Sequence, residues 1–341
     1  NQNLSKLVNG VLRNIIRNLD NISYPQENKA EYLSIYYSHP EWLVERLLDD
    51  YGTSICEQFL IYNNQRPAVT LRVNNLKINR ADLIKELENE GIECEINDLS
   101  PYAINITKLG KALDDTTAYK KGYFYIQNVA SMLAVSILDP EPNEVVYDLC
   151  SGVGGKATHL AQYMMNQGTI HCYDIYEQKL NLLNRNAKRL GIDIITTHLQ
   201  DILELDVKEV ADKVLLDVPC SGLGVLNRRA DLRWNKEPQH LTELTDLQIK
   251  LLVKASELVK NNGYLLYATC TINKAENEEI VNKFIKEFNN FELVGFKDNI
   301  AYFPLNKHDQ LKAEQGMLTI FPGQYRTDGM FYALLKRKDA N

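Results

Sequence analysis

The stretch Val145-Val146-Tyr147-Asp148-Leu149-Cys150-Ser151-Gly152-Val153-Gly154-Gly155-Lys156 decides the fold. An apolar run, Val145–Leu149, gives way to a glycine-rich turn and then to a helical segment over about 155–166. A strand that turns through glycines into a helix aims backbone N–H groups at a ligand, and glycine lets the chain approach it closely. Asp174 closes the next apolar run, Thr169–Tyr173, about twenty residues on, where an acid can hold ribose hydroxyls. Asp201 follows a third run, Ile194–His198, and Asp217 a fourth, Val214–Leu216. A glycine loop alone does not separate a dinucleotide from S-adenosylmethionine, and each acid taken singly also reads as a helix N-cap. Four acids around one crevice, Asp148 included, disfavour a pyrophosphate. They suit a sulfonium ligand that carries an ammonium group.

Working outward, Tyr264–Ala268 adds a fifth strand, and helices are expected over about 177–190, 238–261 and 274–288, with Gly191 and Gly263 as helix stops. Strand–helix alternation of this kind implies a parallel sheet with helices on both faces. Met317–Phe321 and Met330–Leu335, joined through Pro322, Gly323 and Gly329, read as an antiparallel hairpin. Upstream, Ala68–Val73 alternates as a strand, Ala81–Glu90 is an amphipathic helix ended by Gly91, and Cys94–Ile96 and Ala103–Ile106 are short strands. These predict a small α+β module over 66–120. Leu4, Leu7, Val8, Val11, Leu12, Ile15, Ile16 and Leu19 recur at helical spacing. Residues 25–62 also read as helical, with Pro40 near a helix start and Trp42, Leu43, Leu47 and Leu48 on one face.

The hydrophobic content of 45% and charged content of 24% are those of an ordinary globular protein. No apolar run reaches the roughly 20 residues of a membrane helix, and no signal peptide opens the chain, so a cytoplasmic protein, acting as a monomer, is expected. The net charge of −7 disfavours a phosphate-rich partner unless a local patch provides the attraction. Arg228, Arg229, Arg233 and Lys236 form such a candidate patch, or else a solvated loop. His159, His171 and His198 lack metal-ligand spacing, so no metal is expected. Tyr119, Tyr123 and Tyr125 read either as base-stacking residues or, preferably, as an interdomain core.

Six cysteines include no Cys-x-x-Cys pair, which argues against zinc ribbons and thioredoxin-like sites. Two of them, Cys220 in Asp217-Val218-Pro219-Cys220-Ser221-Gly222 and Cys270 in Ala268-Thr269-Cys270-Thr271, follow strands. Residues just past strand C-termini line the ligand crevice of an α/β sheet, so both thiols are expected at one site. Cys172 alternates within a strand and reads as core; Cys56 and Cys94 read as packing residues.

The glycine loop Asp148–Lys156, the two cysteine motifs, Gly122–Ser131 and Asp328-Gly329-Met330-Phe331-Tyr332-Ala333 together resemble the RNA cytosine-C5 methyltransferase family, and most closely its RsmB type, which modifies 16S ribosomal RNA. The likeness runs from about Arg66 to the C-terminus. Leu7–Arg13 is similar to the last helix of the NusB-like domain of that type, so 1–20 reads as its remnant, 21–65 as a helical linker, 66–120 as an RRM-like module and 121–341 as the catalytic domain. The resemblance implies a Rossmann-like S-adenosylmethionine-dependent methyltransferase fold, with Cys270 adding to C6 of a cytosine and Cys220 assisting release as a general base. Asp217 and Lys156 would hold the cytosine edge. Cys150, Ser151, Gly152, Val153, Gly154, Gly155 and Lys156, with Asp174, Asp201 and Asp217, would contact the cofactor, and Arg228, Arg229 and Arg233 the RNA. The family usually has Ala-Pro-Gly-Gly-Lys in the loop where this chain has Gly152-Val153-Gly154-Gly155-Lys156; losing the proline frees the loop. A DNA cytosine methyltransferase, with Cys220 as nucleophile, is disfavoured by Cys270 and the RRM-like module. The acids disfavour an NAD-dependent oxidoreductase, and both cysteines disfavour a non-catalytic RNA-binding assembly factor. Another RNA, such as tRNA, is the alternative substrate.

Overall fold

The computed structural model of the chain describes residues 2–339, which divide after Asn64 into two compact units. The first is helical. In α1 (Gln2–Arg17) the apolar row is exposed, Leu7, Val11 and Ile16 included. The helical stretch expected over 25–62 is two helices, the second of them broken by a kink at Gly52 (φ +74). α2 (Lys29–Tyr37) begins where Asn28 accepts the N–H groups of Ala30 and Glu31, and ends at Ser38 in the left-handed region. α3 (Glu41–Asn63) starts after Pro40, whose fixed φ suits a helix start, and buries Leu43, Val44, Leu47, Phe59 and Leu60.

The second unit contains two sheets. In the smaller, β1 (Val69–Val73), β2 (Glu93–Ile96), β3 (Ala103–Lys108) and β4 (Phe124–Ile126) lie in the order β2-β3-β1-β4, antiparallel throughout. With α4 (Arg80–Asn89) after β1 and the short α5 (Thr117–Lys120) before β4, this is a βαββαβ ferredoxin-like unit. Asn79 caps α4 by accepting from Asp82 N, and Leu83 and Leu87 pack against Leu71, Val73, Ile104 and Phe124. β4 is only three residues long, too short to show alternation in the sequence.

The larger sheet has the order β10-β12-β9-β8-β5-β6-β7. β5 (Val145–Leu149), β6 (Thr169–Asp174), β7 (Ile195–Leu199), β8 (Ala211–Asp217) and β9 (Val259–Thr269) are parallel. β12 (Met330–Arg337) runs antiparallel to β9 on one side, and to β10 (Phe291–Leu293) and β11 (Met317–Ile320) on the other. The β11–β12 pair is the hairpin expected from the sequence. Alternate residues feed opposite cores: Leu215, Leu266 and Ala268 join one layer with α6 (Val129–Leu138), α7 (Gly155–Tyr163) and α8 (Glu177–Leu190). Val214, Leu216, Leu265 and Tyr267 join the other with α10 (Pro238–Leu258) and α11 (Glu278–Glu287). Burial on both faces is why these strands read as continuous apolar runs. α9 (Ala230–Asn235) and α12 (Lys307–Glu314) complete the unit. Strand order reverses between β5 and β8, and that reversal opens the crevice at their C-terminal ends.

Two boundaries differ from the sequence reading. Gly191 does cap α8 in the left-handed region, but Gly263 lies inside β9. α10 already stops at Leu258, because Val259 pairs with Ala211 of β8. The helix expected from 274 starts at Glu278, preceded by a 3-10 turn over Lys274–Glu276 and a break at Asn277.

The ferredoxin-like unit docks on the large one through buried polar groups. Asn74 Nδ2 donates to Gly122 O and Leu190 O, both at 2.8 Å, and Gln162 Nε2 donates to Asn74 Oδ1 at 2.8 Å. Gly122 has φ +73, and a Cβ there would lie 1.9 Å from Arg189 O. Gly122→Ala is therefore expected to lower stability by at least the roughly 1–3 kcal/mol of left-handed backbone strain, read as a lower urea midpoint; an unchanged midpoint would show that this junction can move apart freely.

Candidate active site

Each element delivers its residue for a local reason. β5 ends at Asp148–Leu149, and the loop turns through Cys150 (φ +69), Gly152 (φ +57) and Gly154 (φ +87) before α7 begins. Asp174, at the end of β6, accepts from Gly152 N at 3.0 Å and Tyr176 N at 2.9 Å. This acid therefore holds the glycine loop in shape. Asp201 accepts from Leu203 N at 2.9 Å and caps a 3-10 turn.

A cleft of about 540 Å³ opens above the strand ends. Asp148, Cys150, Ser151, Gly152, Val153, Gly155, Lys156 and Asp217 line one side; Thr70, Tyr125, Gln127 and Asn128 line the other; Arg228 and Arg229 stand at its margin. Asp174, Asp201, Gly154 and the two motif cysteines, Cys220 and Cys270, are not among its lining residues; Lys156 and Asp217, which are, stand next to the cysteines. Arg228 is committed within the protein: Nε meets Asp328 Oδ2 at 2.5 Å and Nη2 donates to Ala68 O at 3.0 Å. Arg229 pairs with Asp231 at the surface, and Arg233 is buried in α9.

Asp148 is 1% exposed and neither carboxyl oxygen has a donor. Burial, reinforced by Asp217, pushes it up to about 8. Lys156 Nζ meets Asp217 Oδ2 at 2.6 Å. Burial pulls the Lys156 amine down, yet Asp217 outweighs it and the ammonium is held above its ordinary value. Cys150 is pushed up to about 12 by burial and the surrounding carboxylates, so its thiol is inert.

The two motif cysteines meet. Cys220 Sγ and Cys270 Sγ are 3.2 Å apart. The hydrogen bond between them lowers Cys270, overriding burial, with Lys156 adding in the same direction; it raises Cys220, where burial adds to it. These effects favour Cys270 as the thiolate of the pair.

What joins the two cysteine loops was missed in the sequence. Glu276, fully buried, accepts from Ser221 N (2.8 Å), Ser221 Oγ (2.5 Å), Gln248 Nε2 (3.0 Å) and Asn273 Nδ2 (2.9 Å). Ser221 Oγ also meets Thr271 Oγ1 at 2.7 Å. Gly224 N donates to Cys270 O at 3.0 Å and Gly329 N to Gly224 O at 2.7 Å. A Cβ on Gly224 would lie 2.3 Å from Gly329 O. Glu276 sits in a segment that reads as one turn of an ordinary polar helix; only its place directly after the Cys270 motif could have marked it.

A doubly wound sheet with a glycine loop, strand-end acids and a donor-binding cleft defines a Rossmann-like, S-adenosylmethionine-dependent methyltransferase. The model of the 16S rRNA methyltransferase RsmB/F family matches residues 135–336, and that of its ferredoxin-like domain matches residues 39–112. The chain belongs to this family of rRNA cytosine-C5 methyltransferases. It is 35% identical over 338 residues to the probable ribosomal RNA small subunit methyltransferase B of Bacillus subtilis, covering 98% of this chain and 74% of that one. It is 32% identical over 317 residues to a human 28S rRNA (cytosine(4447)-C(5))-methyltransferase, covering 89% of this chain and 38% of the human protein. The crystal structure of a methyltransferase homologue from Pyrococcus horikoshii superposes with a TM-score of 0.76 at 26% identity, covering 92% of this chain and all of that one.

The methyl donor fits the residues present. The unpartnered Asp148 carboxyl in the cleft suits a cation, and a Cβ at Gly152 would meet nothing within 4 Å, leaving open space over the loop. With a folded value of about 8 against about 3.9 unfolded, the ligand-free protein favours protonated Asp148. That contribution is fully present below about pH 4 and lost as pH rises through 8. Urea midpoints across this range are expected to fall for the wild type relative to Asp148→Asn. Parallel curves would show that the carboxyl is ionised and solvated.

Proposed function

We propose that the protein methylates C5 of a cytosine in 16S rRNA through a covalent adduct between Cys270 and C6. The observation that carries this reading is the 3.2 Å contact between Cys220 and Cys270. The Bacillus subtilis relative, named for small-subunit rRNA, supports the substrate.

Carbon-5 of cytosine is a weak nucleophile. Addition of the Cys270 thiolate to C6 converts the ring to an enamine whose C5 can attack an electrophile. S-adenosylmethionine supplies the electrophilic methyl group. Lys156 and Asp217, joined at 2.6 Å, present a donor and an acceptor to the cytosine edge as the ring is activated. The base must leave its stack to reach them. Asp148, Gly152 and the loop backbone hold the donor, with Asp148 ionising against its positive charge.

The thiol pair then changes roles. Once Cys270 is a thioether, its negative charge no longer holds the Cys220 proton in place. Cys220 loses that proton to water and takes the proton from C5. The C5–H electron pair re-forms the C5–C6 double bond, Cys270 departs as a thiolate, and the original hydrogen bond is restored. Of the three arginines, Arg229, exposed at the cleft and paired only with Asp231 at the surface, is the one available to flanking RNA.

Incubation of each variant with S-adenosylmethionine and small-subunit rRNA, followed by a denaturing gel, tests the roles. Cys220→Ala is expected to accumulate a covalent RNA adduct and Cys270→Ala to form none. The reverse pattern would make Cys220 the nucleophile.

A further inference from the structure

Arg72 lies on β1 of the ferredoxin-like unit and is fully buried. A buried arginine is ordinarily matched by a carboxylate, yet among the described residues no ion pair involves it. Its guanidinium instead reaches the methyl-donor loop. Nη1 donates to Gly155 O at 2.6 Å and to Gln127 Oε1; Nη2 donates to Thr158 Oγ1 at 2.8 Å. Thr158 Oγ1 in turn donates to Gly154 O at 2.7 Å. One cation therefore fixes the carbonyls of both glycines that open α7, one directly and one through a hydroxyl. Lys156, the partner of Asp217, is the next residue.

The arrangement is costly. Burial pulls the guanidinium down to about 9, and Arg189 adds to that pull, while Tyr125, whose ring centroid is 5.2 Å away, offsets part of it. The charge also sits at a helix N-terminus, where the dipole disfavours a cation. An apolar residue would fill the space at lower cost, but it could not hold two carbonyls of a loop that has no side chains of its own at 154 and 155.

We propose that Arg72 is a positioning residue through which the ferredoxin-like unit sets the geometry of the methyl-donor loop, so that donor affinity depends on a side chain outside the methyltransferase sheet. This rests on the reading of the glycine loop as the donor site. Val69 and Thr70, beside Arg72 on β1, line the same cleft.

The test uses the full chain and titration calorimetry with S-adenosylmethionine, with thermal melting as the fold control and hydrogen exchange of residues 151–156 in the donor-free protein. Arg72→Met is expected to weaken donor binding by roughly tenfold or more, the value of a charge-assisted hydrogen bond, and to speed exchange in the loop. Arg72→Lys, which keeps the charge but cannot span both acceptors, is expected to fall between. Thr158→Val removes the link to Gly154 and the acceptor of Nη2 but leaves the direct bond from Nη1 to Gly155 O, and is expected to weaken binding by a smaller factor. The losses in Arg72→Met and Thr158→Val are expected not to add. If Arg72→Met does not fold, Thr158→Val decides. Gly154→Val, whose Cβ would lie 2.6 Å from Leu183 Cγ at φ +87, is the loop control. Wild-type affinity and exchange in the Arg72 and Thr158 variants, with binding lost in Gly154→Val, would overturn the role of Arg72 and leave the donor site standing. Wild-type affinity in all of them, Gly154→Val included, would overturn both.

Discussion

A single buried carboxylate, Glu276, ties the two cysteine loops together. Its two oxygens collect four donors from three separate segments: the loop after β8, the middle of α10 and the turn after β9. Removing one acceptor from such a set would leave several buried donors unsatisfied at once, each costing roughly 1–3 kcal/mol. Tyr267 Oη, donating to the Glu276 carbonyl at 2.7 Å, fixes the residue from the core side. The consequence lies a few ångströms away. Cys220 precedes Ser221 and Cys270 precedes Thr271, so the 2.7 Å contact between those hydroxyls holds together the two backbone segments that carry the thiols. The contact between the two thiols is the main reason they ionise unequally, and Lys156 adds to it on the Cys270 side.

Around that pair the electrostatics are graded. Lys156 is the cation that faces the cysteines, and Asp217 keeps it charged against the opposing pull of burial. Asp148 lines the same cleft without a hydrogen-bond partner, pushed up to about 8 by burial and Asp217. The carboxylates are thus sorted by environment: Asp174 shapes the loop, Asp217 fixes the lysine and Asp148 stays unpartnered. Perturbed groups of this kind cluster where chemistry is done.

Much of this was legible in the sequence. The parallel strands announce themselves because Val214–Leu216 and Tyr264–Ala268 are buried on both faces. The glycine loop and the two cysteine motifs carry their own local geometry, so the crevice could be placed before any coordinate was known. Contacts made across long separations could not be read. Glu276 reads as surface helix until it is seen to accept from Ser221, 55 residues away. Arg72 reads as one residue of an alternating strand until its guanidinium is found at Gly155, 83 residues on. Arg228 reads as a free basic residue, and its pairing with Asp328 spans 100 residues. β4 and β10 are three residues each, below the length at which periodicity can speak.

The unequal thiols are most directly tested by alkylating the folded protein with iodoacetamide over a range of pH and locating the modified cysteine by mass spectrometry. Cys270 is expected to react at lower pH than Cys220. In Cys220→Ala its profile is expected to shift to higher pH, because the hydrogen bond that stabilises its thiolate is gone. Earlier reaction at Cys220, or an unshifted Cys270 profile in Cys220→Ala, would contradict the account.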